Sequence, residues 1–61
     1  MPGYRTYFMD SKDHIAHHEQ FLAESDAEAL GVARKLFSAT DYAAFELWQE
    51  RRHIHRETRG D

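Results

Sequence analysis

Apolar and polar positions alternate in short runs at both ends of this chain and recur at helical spacing in its middle. Tyr4-Arg5-Thr6-Tyr7-Phe8-Met9 is dense in β-favouring residues and leads into the turn-forming cluster Asp10-Ser11-Lys12-Asp13, which reads as strand, turn, strand. The second strand is expected to run through Ile15 toward Phe21. Period two puts Ile15, His17, Glu19, Phe21 and Ala23 in one phase unless a bulge shifts it. Polar side chains between Ile15 and Phe21 suit an edge strand, where they keep solvent access and discourage strand addition.

Ser25-Asp26-Ala27-Glu28 has capping-box spacing, so a helix is expected to start there, with the Glu28 carboxylate reaching back to the Ser25 amide. Acidic Asp26 and Glu28 at its start and basic Arg34 and Lys35 near its end match the helix dipole. Ala29, Leu30, Ala33, Leu36 and Phe37 form the apolar stripe. Gly31 interrupts it, either permitting a close backbone contact or simply tolerated.

Residues 38–41 read as the exit loop, after which alternation returns in Ala44-Phe45-Glu46-Leu47-Trp48-Gln49. Arg52-His53-Ile54-His55-Arg56 is its expected partner. Pairing Gln49 with Arg52 places Leu47 across from Ile54, although Glu50-Arg51 lacks the Asn or Gly that a tight hairpin loop prefers. Gly60-Asp61 is expected to be a short solvated tail. The expected fold is α+β, a single small domain over residues 1–61 with order ββαββ: a four-stranded, mainly antiparallel sheet with one helix packed on one face. Its expected core is Tyr4, Phe8, Ile15, Phe21, Ala29, Leu30, Ala33, Leu36, Phe37, Phe45, Leu47 and Ile54. Tyr7, Met9 and Trp48 fall to the sheet face away from the helix, and strand order is left open.

A chain of 61 residues buries only about 60% of its unfolded surface, so self-association is a natural source of further stability. With no cysteine, disulfides and thiolate zinc sites are excluded. No apolar run approaches a membrane span, and Met1-Pro2-Gly3-Tyr4-Arg5 leads into a strand rather than a signal-peptide core; the cytoplasm is the expected location. Eight Lys and Arg against eleven Asp and Glu leave a formal charge of -3, which supplies no general attraction to nucleic acid or anionic lipid.

The elements Tyr4-x-x-Tyr7-Phe8-x-Asp10, His14-Ile15, Phe21-x-Ala23, Ala27-x-Ala29-Leu30-x-x-Ala33 and Phe45-Glu46-Leu47-Trp48, followed by Arg52 and Arg56, resemble small single-domain alphaproteobacterial proteins of unknown function. The resemblance spans nearly the whole chain. It implies a compact bacterial domain and carries no activity with it.

Five histidines raise the question of metal binding or pH sensing. His53 and His55 are expected on one strand face, and His14 and His18 join an outward set if the second strand has no bulge; no convergent ligand set follows, so neither a metal site nor a cofactor is expected. No nucleophile and base pairing is visible either. Ser25 reads as a helix cap, and one helix on one sheet encloses little room for a substrate, so the chain is not expected to be an enzyme. The leading expectation is a protein-interaction or self-associating module, with a homodimer favoured and Tyr7, Met9, Trp48, His53 and His55 as interface candidates, because tryptophan, tyrosine and methionine are enriched in interface cores. The alternative is a nucleic-acid-binding module using Tyr7 and Trp48 for stacking and Arg51, Arg52 and Arg56 for phosphates, disfavoured by the net charge.

Overall fold

A computed structural model describes residues 2–59; the expected tail at Gly60-Asp61 lies outside the described residues. Strand β1 (Gly3–Met9), strand β2 (Ile15–Leu22), helix α1 (Asp26–Ser38), strand β3 (Ala44–Gln49) and strand β4 (Arg52–Thr58) follow in the expected ββαββ order. They form one four-stranded sheet of order β2-β1-β3-β4, antiparallel at every pairing. Because β1 runs against both β2 and β3, those two are parallel to each other, and α1 carries the chain across β1. β1 and β3 are the two central strands, with β2 and β4 at the edges.

Both hairpin loops use a non-glycine residue with positive φ. At the first, Asp13 (φ 65) donates its amide to the Asp10 carbonyl at 3.0 Å. The Asp10 carboxylate accepts from the amides of Lys12 at 2.9 Å and His14 at 3.0 Å, and these two backbone bonds hold its carboxyl below the ordinary range. At the second, Gln49 pairs with Arg52 as expected, with Glu50 (φ 55) taking the position where glycine is usual.

Ser25 caps α1, accepting from the Glu28 amide at 3.1 Å. The return bond differs from the expected one: the Glu28 carboxylate accepts from Glu24 at 3.4 Å instead of from Ser25. Buried Ala29 and Ala33 let the helix approach the sheet closely, and Phe37 seals its far end, 4.9 Å from the Phe45 ring and 6.4 Å from Phe8. Phe21, Leu30, Leu36 and Ile54 pack around this core as expected, joined by Tyr42, whose ring stacks 5.7 Å from Phe8. Gly31 is of the tolerated kind, since a methyl group there meets nothing within 4 Å. Gly31→Ala is expected to raise stability by about 1 kcal/mol through backbone entropy and propensity, read as a higher urea midpoint at unchanged slope; a lower midpoint would show a contact that the geometry does not contain.

Two bulges correct the expected register. Met9 pairs with Ile15 while Phe8 pairs with His17, so Ala16 is the extra residue. Ile15 is thereby moved out of the expected core to the opposite face, where it is 62% exposed. Likewise Trp48 pairs with His53 and Leu47 with His55, making Ile54 the extra residue instead of the partner of Leu47. Thr6 and Ala23 on the helix side, and Met9 and Ala44 on the opposite face, are also buried, which was not expected. Thr6 is fully buried on the helix side of β1, and its hydroxyl has no partner among the described residues. Thr6→Val keeps the branched shape and removes the unsatisfied group, so a gain of about 1 kcal/mol is expected in urea unfolding. A loss would mean that the hydroxyl is bonded.

Candidate functional site

The helix covers one sheet face, and alternation from the buried Tyr4, Thr6 and Phe8 fixes what lies on the other. In register across this open face, Gln20, Arg5, Trp48 and His53 form one row, and His18, Tyr7, Glu46 and Arg56 form the next. Leu22 opposite Gly3 and Ile15 opposite Met9 extend it at either end. Among the described residues, Leu22 (63% exposed) and Ile15 (62% exposed) are the exposed large apolar side chains. Tyr7 and Trp48 between them are half-buried. A groove of ≈ 470 Å³ is lined by Gly3, Arg5, Tyr7, Gln20, Leu22, Trp48 and Glu50 and also touches Tyr4 and Phe21. A second, of ≈ 400 Å³, lies between Tyr7, Ile15, Glu46, Trp48, Glu50 and Arg51.

Trp48 is set by its neighbours. Its indole N–H donates to Glu46 Oε1 at 3.0 Å, and the His53 ring stands edge-on at 4.9 Å. Glu46 also accepts from Arg56 at 2.6 Å, and His53 Nε2 is 3.7 Å from Oε1. Burial raises the pKa of this carboxyl, but the hydrogen bonds from Trp48 and Arg56 outweigh it, and the net displacement is downward.

The other interface candidates are distributed unevenly. Met9 belongs to this face by register but is only 4% exposed, with Arg56 over its sulfur at 3.7 Å. His53 is on the face beside Trp48. His55 is not: the bulge at Ile54 turns it to the helix side, 6.0 Å from the Phe45 ring and 3.1 Å from Glu57, so the expectation that His53 and His55 share a face is corrected. The bulge at Ala16 likewise separates His14, 3.8 Å from Asp10 in the turn, from His18 beside Tyr7. Among the described residues no three His, Asp or Glu side chains are grouped to hold a metal ion.

Arg51, Arg52 and Arg56 do not form one basic edge. Arg52 reaches the helix start, donating to both Asp26 oxygens at 2.8 and 2.9 Å. Arg56 lies on the opposite face, bridging Glu46 and, at 3.0 Å, Asp13. Arg51 is exposed in the β3–β4 loop. Sequence separations of 26 and 43 hide both carboxylate partnerships from a local reading.

Asp26 also accepts from the Tyr4 hydroxyl at 2.9 Å, joining α1 to β1 and β4. Hydrogen bonds from Arg52, then from Tyr4, lower its pKa from 3.8 to about 2 against a smaller opposing effect of burial. The ionised form thus favours folding above pH 3.8, and this contribution is lost as pH falls through about 2. Wild type and Asp26→Asn are expected to converge in urea midpoint between roughly pH 4 and pH 2. A constant difference across that window would contradict the linkage.

No helix among the described residues is long and apolar enough to cross a membrane. Comparison of the chain with protein-family models, curated proteins and solved structures gives no match.

Proposed function

We propose that this chain is a small self-associating interaction module that forms a homodimer through the sheet face opposite α1, with Trp48 at its centre and Tyr7 beside it. The observation that carries this reading is the set of large apolar side chains left on that face: half-buried Trp48 and Tyr7, flanked by Leu22 at 63% and Ile15 at 62% exposure. Isolated exposed apolar residues are ordinary, whereas several on one face of so small a chain favour a partner. The overall extents are 32 × 20 × 15 Å, and the broad face is of the order of the roughly 800 Å² that each partner contributes to a standard interface. The division of Arg52 and Arg56 between two faces, each neutralised by carboxylates, weighs against a phosphate-binding role for this region.

Trp48 is the only tryptophan, so its emission reports from the proposed centre. On dilution the spectrum is expected to move to longer wavelength as the indole returns to water. Emission independent of concentration, at concentrations where the protein is associated, would place the interface elsewhere, with pairing along the β2 or β4 edge the first candidate.

A further inference from the structure

We infer that the occupant of this face is a second copy of the chain, oriented by two reciprocal ion pairs: Arg5 of each protomer with Glu50 of the other. The inference rests on the self-association reading above and adds the determinant of its geometry. Arg5 is the cross-strand neighbour of Trp48, and Glu50 lies two residues beyond Trp48 in the β3–β4 loop. Both border the same groove. Among the described residues neither has an oppositely charged partner, whereas Arg34, Arg52 and Arg56 all do.

Arg5 is nonetheless held in place by neutral groups. Its Nη1 donates to the Tyr7 hydroxyl at 3.2 Å, its guanidinium lies 5.9 Å from the Tyr7 ring centroid, and the Gln20 carboxamide lies against it. A guanidinium held in this way has N–H donors to spare, so a carboxylate can be added at little further loss of side-chain freedom. The charge pattern then selects the occupant. A polyanion placed on the groove meets Glu50, and a cationic partner meets Arg5. A two-fold axis lying in the interface and bisecting the line between the two residues brings each onto its opposite. Glu50 borders the adjoining groove as well, and Arg51, the other cation near this face, borders only that second groove.

Charge reversal tests the pairing, because Arg5→Glu and Glu50→Arg each create two like-charge contacts in a homodimer but restore both attractions when mixed. Sedimentation equilibrium is expected to show each single variant dissociating at least about tenfold more readily than wild type. The equimolar mixture of the two, and a chain carrying both substitutions, should return toward the wild-type constant. Single variants that dimerise normally, or that weaken without recovery on mixing, overturn the ion-pair inference while leaving the face itself to be judged by Trp48→Ala. A monomeric wild type removes both. Should a reversed chain lose its far-ultraviolet dichroism, the neutral substitutions Arg5→Gln and Glu50→Gln replace them in a double-mutant cycle; coupling of about threefold or more is expected, and additivity overturns the pairing.

Discussion

Arg59→Ala is expected to lower folding stability by about 2 kcal/mol, a large change for an exposed residue in a chain this small. The reason lies at the end of α1, which stops at Ala39 (φ -86) without a glycine to close it. The amides of Ala39 and Thr40 close its last turn on the Leu36 and Phe37 carbonyls at 3.2 and 3.0 Å, and side chains reinforce that end and the loop after it. Arg59 donates to the carbonyls of Tyr42 and Thr40, each at 2.8 Å, and to that of Phe37 at 3.4 Å, with its guanidinium 4.3 Å from the Phe37 ring centroid. Thr40 adds a hydroxyl bond to the Phe37 carbonyl at 2.8 Å. One side chain thus ties the helix end, the loop after it and the end of β4 together. Arg59→Lys should recover less than half of the loss, since an ammonium cannot span three acceptors arranged for a planar fork. Equal urea midpoints for wild type and Arg59→Ala would show that solvent serves these carbonyls equally well.

Trp48→Ala is expected to raise the dimer dissociation constant about 30-fold or more, corresponding to 2 kcal/mol at a central aromatic anchor. The substitution removes apolar surface from the middle of the open face but leaves Glu46 bonded to Arg56, so no buried charge is abandoned in the monomer. Arg52→Ala is the matched comparison. Arg52 is bound to Asp26 on the helix side, and its loss should alter stability without changing the dissociation constant. A constant unaffected by Trp48→Ala would rule out the proposed centre.

Local chemistry made most of the fold legible. The Ser25 cap, the apolar stripe of α1 and the alternation in β1 and β3 depend on residues close together in sequence, and they place Tyr7, Met9 and Trp48 on the open face. The bulges were not legible, because an extra residue at Ala16 or Ile54 is defined by the strand opposite it and leaves no mark in composition. Those two residues decide the fate of Ile15 and His55, moving one to the open face and the other to the helix side. Leu22, although equally exposed on the same face, escapes a local reading because the expected second strand runs only toward Phe21, one residue short of it. The basic C-terminal region misled for a different reason. Arginine density there is real, but whether a guanidinium is available depends on carboxylates as distant as Asp13 and Asp26, which only the folded chain brings near.

Sedimentation equilibrium of the unaltered chain, over a concentration series reaching about 100 μM in about 0.15 M salt, tests the central claim most directly. Dimerisation through the open face predicts an apparent mass that rises with concentration from 7.2 kDa toward twice that value, while circular dichroism stays that of a folded protein throughout. A folded chain that remains at 7.2 kDa across the whole series would contradict it.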